Sequence, residues 1–498
     1  MGAKSSSFVD REAPLSSGIL IPLWLGSLLA MIHTAFESFM KRLKEDYDLI
    51  TFPLRGKDII QQAYLKSKGE AFQLLTPESR ITLVSSPNHI RDIATAPNEY
   101  LSLHAAAKDI LKPEYTMAGF NWHDQRGIEG VGFVRTLRTL LTNHLPKMTP
   151  GVRRIIERDF ADDVGDHRSV NALTLSKRIV TNISGYAFFG QDMMENQAFM
   201  EAAYYYNEDV LYGAEILRLS PRFLVPFVGA LMPMWLTRQR VFFHGLVDLI
   251  ESRLNSHTSE KYNDVIQWII ETAPKDQKWS PGRMAFEVMA IWFGSVQGLA
   301  TTLTFAIYNL CEHSEYIKPL RDEIQGPEGS KFMIKGEGLP LMDSFLKECS
   351  RWTPVESVTA RRCALQDFSF ADGTKVRKGD WVAAALGPML RDSSLYPCPD
   401  KFDGFRFADP SHIERIAVTQ PEGPSKFTDI NDKWQVWGTG KITCPGRFFV
   451  SYVMKQVFFY MLENYDVSME DAGAKHTLTW RTLTLPRPGV KVTLHRRS

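Results

Sequence analysis

Apolar positions recur at helical spacing along most of this chain, which predicts an α-rich protein. From residue 133 to about 270 the periodicity is helical, with breaks expected near Pro150, Pro221, Pro226 and Pro233. Residues 283–312 read as one long helix, uncharged from Val288 to Leu310. That stretch also meets the membrane-spanning criterion of about 20 apolar residues. Its glycines, threonines and internal glutamine predict instead a buried helix crossing a soluble core. Residues 57–68 read as helix, and Ser86-Pro87 opens another, with Ser86 as cap and Pro87 at the first position.

Strand signals are short. Residues 72–77 and 80–84 predict two strands around a turn at Pro77-Glu78-Ser79. Residues 368–374 predict a tight hairpin at Asp372-Gly373. Residues 101–132 look irregular, and 392–436 are rich in Pro and Asp with little periodicity. The expected fold class is mainly α with small β-sheets.

The N-terminus differs from the rest. No charge occurs from Ala13 to Phe36, and Lys41, Arg42 and Lys44 follow. An apolar stretch with basic residues on its C-terminal flank reads as a single transmembrane anchor at about 15–36, the following chain on the cytoplasmic side. A signal peptide or a buried helix are the rival readings. The expected organisation is an N-terminal segment over 1–40 and one large domain over 41–498.

Composition narrows the classes. The 498 residues carry a net charge of +1, with 44% hydrophobic and 23% charged positions. An ordinary globular balance excludes bulk nucleic-acid binding. Cys311, Cys349, Cys363, Cys398 and Cys444 are too few and too irregularly spaced for a disulfide framework or a zinc site.

Chemistry concentrates near the C-terminus, in Trp437-Gly438-Thr439-Gly440-Lys441-Ile442-Thr443-Cys444-Pro445-Gly446-Arg447-Phe448. An apolar helical stretch follows, with Pro445 suited to its first position. Free amides and the positive dipole end at a helix start stabilise a thiolate, so Cys444 is a candidate metal ligand. A buried structural cysteine is the plainer alternative. Upstream, Glu348 and Arg351 are three apart and share a helix face. Alone, that spacing is also that of a surface ion pair. Further on comes Pro399-Asp400-Lys401-Phe402-Asp403-Gly404-Phe405-Arg406-Phe407.

In order and spacing these three segments resemble the cytochrome P-450 family, over roughly residues 55–495. The wording around Cys444 looks like filamentous-fungal members that tailor secondary metabolites. The resemblance implies the cytochrome P-450 fold, with haem b held by Cys444 as axial ligand. It implies a structural cluster of Glu348, Arg351 and Arg406. It implies haem contacts from Trp437 and propionate contacts from Arg362 and Arg138, with Arg135 as the alternative. Ile442 occupies a place where many relatives carry a basic residue; Lys441, one place earlier, is the candidate to compensate for it or to face a redox partner.

The oxygen-side helix departs from the family pattern. Gln297 and Gly298 stand where an acid and a threonine usually relay protons during dioxygen activation. Gln297 cannot titrate and Gly298 has no hydroxyl. Ser295, water or a substrate hydroxyl could serve, or Thr301 or Thr302 one turn on. The implied activity is a membrane-bound monooxygenase of the endoplasmic reticulum, oxidising an apolar terpenoid or polyketide. Electrons would come from NADPH through a separate flavoprotein reductase, docked near Lys441, Arg447 or Lys455. A haem-thiolate isomerase or dehydratase is the alternative, and a membrane-tethered binding protein the third. The substrate cavity is expected from residues 101–132, 203–236 and the long helix near Val296 to Leu299.

Overall fold

The computed structural model describes residues 47–497 except 123–131, 165–168, 257–261, 274–278 and 413–423. The expected anchor at 15–36 and its basic flank lie outside the described residues. Residues 52–498 form one compact unit by their contacts.

Helices dominate this unit, as the periodicity predicts. The long helix, Pro281–Glu312, crosses the main core. Its start is encoded locally: Pro281 occupies the first turn, and the Ser280 side chain accepts the Arg283 N–H. From Leu303 to Leu310 every side chain is buried. That is why this stretch carries no charge. Its indole Trp292 donates to the Ala203 carbonyl at 2.9 Å, which ties it to helix Gln197–Leu219. The buried carboxylate Glu287 pairs with Arg283 at 3.0 Å. Helix Ala172–Phe189 packs alongside, and Arg447–Asn464 brings an almost wholly buried helix to the same core.

Part of the sheet structure packs over a second, smaller core, while a three-stranded sheet packs on the main one. A five-stranded sheet has the order Phe72–Leu75, Arg80–Val84, Trp381–Ala384, Thr359–Ala364 and Leu101–Ser102. Only the pairing of Arg80–Val84 with Trp381–Ala384 is parallel. Two strands from near the C-terminus, Tyr465–Met469 and Lys491–Arg496, join Ser169–Asn171 in a three-stranded antiparallel sheet. The hairpin at Asp372-Gly373 forms as the turn chemistry predicts, between Phe368–Ser369 and Lys375–Val376. A second hairpin pairs Thr477–Trp480 with Leu483–Pro486.

Three local expectations are corrected. The stretch from residue 101, expected to be irregular, opens with a short strand and helix Leu103–Leu111, capped by Ser102. Its alanines hid the amphipathic pattern. Pro150 does not break its helix: Thr142–Val164 runs through both Pro146 and Pro150, with ten buried residues holding it. Tertiary burial outweighs the roughly 3 kcal/mol propensity penalty of each proline. Pro445 does not begin the C-terminal helix, which starts at Arg447 after Gly446 as cap.

Candidate haem-thiolate site

The cysteine loop is held from within. Cys444 donates its N–H to the Trp437 carbonyl at 2.8 Å, closing the loop on itself. The Thr443 hydroxyl bonds the Gly440 carbonyl at 2.8 Å. Gly438 and Gly440 have φ of +75° and +66°, where a side chain is strained. A Cβ at Gly440 would also strike the Ala94 backbone. The Trp437 indole donates to the Phe427 carbonyl at 2.6 Å, so it presents a ring face and no free N–H. Arg447 reaches back with Nη1 to the Cys444 carbonyl at 3.1 Å, and with Nε to Thr428 at 3.0 Å.

Burial raises the Cys444 thiol pKa in this chain. The Gly446 and Arg447 backbone N–H groups and the charges of Arg447 and Arg138 pull it back down. Those groups favour the thiolate, and a metal would complete the shift.

Cys444 lines a cavity of about 370 Å³ together with Trp437, Gly438 and Ile442. Gly294, Ser295, Gly298, Leu299 and Thr302 of the long helix line the same cavity, and Arg362 borders it. Thus the thiol and the small residues of the core helix share one slot. Lys441 is exposed and does not line it; Ile442 does.

Arg362 tests whether the residues fit a haem. It is 3% exposed, and its guanidinium donates to the Arg361 carbonyl at 2.9 Å. No carboxylate pairs with it among the described residues, and burial pushes its pKa down to about 10. A buried, uncompensated guanidinium at the rim of a cavity that also holds a thiol suits a carboxylate-bearing cofactor. The strand bulges between Thr359 and Arg362, with Ala360 at φ +53°, and this turns the arginine inward. Arg138 lies on the π-helical turn Thr136–Leu141, exposed, yet near enough for its charge to act on Cys444. Cys444, Arg362 and Arg138 together fit a haem and its propionates.

Gly294 and Gly298 also line a second cavity, of about 400 Å³. Its wall takes Leu103, Ala106, Ala107 and Ile110 from the 101–132 stretch, and Leu211 from the 203–236 region. Gln297 and Thr301 line it as well, whereas Val296 is buried in the core instead. The hairpin residues Leu483 and Leu485 and the sheet residue Trp381 complete it, which the sequence reading missed. Nothing lies within 4 Å of a Cβ built on Gly298. The neighbouring hydroxyls are internally bonded: Ser295 to the Ile291 carbonyl, and Thr302 to the Gly298 carbonyl at 2.8 Å.

Glu348, Arg351 and Arg406 are brought together in a fully buried cluster. Arg351 forks onto Glu348 with Nε–Oε2 at 2.7 Å and Nη2–Oε1 at 2.8 Å. Arg406 Nε reaches Oε2 at 3.2 Å, and the Asp403 N–H donates to Oε1 at 2.9 Å. The remaining guanidinium donors bind the carbonyls of Leu390, Pro397, Pro399 and Lys401. This pins the 390–406 segment onto helix Pro340–Trp352. Nearby, Lys347 points between the rings of Phe407 and Trp434 and bonds Ser425 at 2.9 Å.

Two basic residues expected on a docking face are corrected. Lys455 is 8% exposed and paired with Asp343 at 2.5 Å. Arg447 is committed to the loop. Lys441 alone of the three is exposed.

A further charged cluster was missed. Glu78, Glu215, Arg218 and Arg481 interlock at the second cavity. Arg218 and Arg481 reach Glu78 at 2.8 and 2.7 Å, and Arg481 reaches Glu215 at 2.8 Å. Arg481 sits at a hairpin tip with φ +55°, its N–H bonded to Pro53 at 2.6 Å. No local sequence signal marks it, because its partners come from three distant segments. A larger cleft, of about 1090 Å³, lies around Lys331, Asp343 and Lys455; its lining omits Cys444, so size does not mark the site.

A helical fold with a cysteine loop facing a core helix of small residues defines the haem-thiolate class of proteins. The chain belongs to the cytochrome P450 family, whose model matches residues 59–494. It is an oxidoreductase of that family. It is similar to "Cytochrome P450 monooxygenase 151" of Postia placenta, at 28% identity over 90% of each chain. It is 26% identical to "Ent-kaurene oxidase P450-4" of Gibberella fujikuroi, over all of this chain and 96% of the relative. A solved structure of a retinoic acid-bound cyanobacterial relative, CYP120A1, shares the fold with a TM-score of 0.69 at 20% identity, covering 90% of this chain and 96% of that one.

Proposed function

We propose that this chain is a haem-thiolate monooxygenase that oxidises an apolar secondary metabolite of the terpenoid or polyketide type, as in filamentous fungi. The observation that carries the reading is the shared wall. Gly294 and Gly298 border both the cavity of Cys444 and the largely apolar second cavity. Haem bound through the Cys444 thiolate supplies dioxygen activation and insertion of one oxygen atom. Arg362 and Arg138 would hold its propionates, and the Glu348 cluster pins the 390–406 segment onto helix Pro340–Trp352. The apolar wall orients the substrate and excludes water. With no acid at position 297 and no alcohol at 298, protons pass through water or a substrate hydroxyl in the cavity rather than through a titrating side chain at those positions. The terpenoid class is supported by the ent-kaurene oxidase relative.

Electrons come from NADPH through a separate reductase, with Lys441 on its docking face. The anchor at about 15–36 would tether a cytoplasm-facing catalytic domain, residues 41–498, to the endoplasmic reticulum. An exposed apolar surface supports the membrane reading: helix Val225–Trp235 has no charged residue, and Phe227, Met234 and Trp235 are 70%, 70% and 62% exposed. Phe223 and Leu219 extend it. Clustered exposed apolar residues of this kind mark sites of protein or membrane contact.

The test combines spectrum and turnover. The reduced, carbon monoxide-bound protein should show a thiolate-type Soret band that Cys444→Ala lacks. Product from ent-kaurene or other terpenoids should then require both NADPH and reductase. A second reading, a haem-thiolate isomerase or dehydratase, is favoured by the Gln297-Gly298 pair. It gains if an activated substrate turns over equally without NADPH.

A further inference from the structure

Gln297 and Thr301 stand one turn apart on the long helix and line the same cavity. Thr301 is 1% exposed, and its hydroxyl has no hydrogen-bond partner. Gln297 Oε1 is also buried and without a partner. A helical threonine commonly returns its hydroxyl to the carbonyl one turn back. Thr302 and Thr304 do so, to Gly298 at 2.8 Å and to Ala300 at 2.7 Å. Thr301 does not. Buried polar atoms are nearly always satisfied, so two neutral orphans one turn apart on the same helix call for a partner from the cavity. Gly298 lies between them in sequence, and the space its side chain would take is open.

The rest of the wall constrains what that partner is. It is built largely of apolar side chains, among them Leu103, Ala106, Ile110, Phe293 and Val358. Its cations are already paired: Arg218 and Arg481 with Glu78, and Arg361 with Glu356. Arg361 Nε and Arg481 Nη1 make no hydrogen bond, but every cation of the wall is charge-balanced by a carboxylate, so a carboxylate or phosphate would add uncompensated charge and would face the Gln297 carbonyl oxygen. A pure hydrocarbon would leave both orphan atoms unpaired. A hydroxyl group both donates and accepts, so it can satisfy Gln297 Oε1 and the Thr301 O–H together.

We infer that Gln297 and Thr301 form a polar subsite that takes one hydroxyl group of an otherwise apolar substrate. The inference rests on the reading of this cavity as the substrate site, and it narrows the substrate class to an apolar alcohol. It also makes the oxygen-side departure a specificity device: the positions that usually carry an acid and an alcohol are given over to reading the substrate.

The test is ligand binding, which needs no electrons. Adamantane and 1-adamantanol are titrated into the haem-loaded full chain, and dissociation constants are read from the Soret difference spectrum. The variants are Thr301→Val, Gln297→Leu, their double mutant and Thr301→Ser. The ratio of the alcohol constant to the hydrocarbon constant should rise about five- to tenfold in Thr301→Val and in Gln297→Leu, the scale of one neutral hydrogen bond. Thr301→Ser should keep the wild-type ratio, which separates a lost hydroxyl from a disturbed fold. An unchanged ratio in the double mutant overturns the subsite. So does a change confined to NADPH coupling, which would assign both residues to water. If neither probe shifts the wild-type spectrum, the cavity is not the substrate site and both readings fall. A failure of NADPH-dependent turnover with the ratio still altered overturns the monooxygenase reading alone.

Discussion

Arg406 and Glu348 meet across 58 positions of sequence, Nε to Oε2 at 3.2 Å, with 2% and 0% of their surface exposed. Arg351 occupies the other side of the same carboxylate. Each charge is buried only because the others are present. Glu348→Gln should therefore destabilise the fold by about 3–5 kcal/mol, since it strands two guanidinium groups. Thermal unfolding and haem retention report it. A midpoint within error of wild type would contradict the cluster's structural role.

Arg362→Ala should weaken haem retention by about 10- to 100-fold, the value of a charge-assisted hydrogen bond. Haem transfer to apomyoglobin measures it. Arg362→Lys should recover part of the loss, because charge is kept but the planar fork is not. An unchanged transfer rate would take the propionate role away from Arg362.

Gly298→Thr should fold normally, because a Cβ there meets nothing within 4 Å. The added side chain should improve the coupling of NADPH use to product if a missing hydroxyl limits proton delivery. It should also tighten the passage between the two cavities, and so weaken the binding of bulky apolar ligands. Coupling ratios and Soret titrations separate the two effects.

Arg481→Ala should loosen the hairpin and the turn it ties. Glu78 and Glu215 would each lose a buried partner, 10% and 19% exposed in their side chains. Hydrogen exchange should accelerate at residues 76–84 and 477–486 while the long helix stays protected. Uniform exchange across both would argue against a local tie.

Glu323 gives a pH dependence with a defined sign. Its carboxylate accepts the Leu341 and Met342 N–H groups at 2.6 and 3.0 Å, at the start of helix Pro340–Trp352. Burial pushes its pKa up to about 7, and those bonds lower it only in part. A carboxyl raised on folding binds its proton more tightly in the native state. Its contribution is complete below the unfolded value of 4.5 and is lost as pH rises through about 7. The fall in thermal midpoint between about pH 5 and pH 8 should be smaller in Glu323→Gln than in wild type.

Much of the site was readable before any fold was known. The loop around Cys444 was legible because its glycines, proline and cysteine are contiguous, and the backbone turns they demand are local. The long helix was legible because burial on all sides removes charge over consecutive positions. Glu348 and Arg351 share a face by spacing alone. Helix Leu103–Leu111 was not legible, since its alanines carry little amphipathic contrast.

Sequence alone determined the helical class, the thiolate loop and the odd pair Gln297-Gly298, because each is written in adjacent residues or a fixed period. Tertiary structure decided the rest. It withdrew Lys455 from the surface by pairing it with Asp343, and turned Arg362 inward through a bulge at Ala360. It joined Arg481 to Glu215 across 266 positions. It left the Thr301 hydroxyl unpaired while Thr302 and Thr304 are bonded. Those outcomes depend on which surfaces meet when the helices and sheets pack, and no periodicity along the chain encodes that meeting.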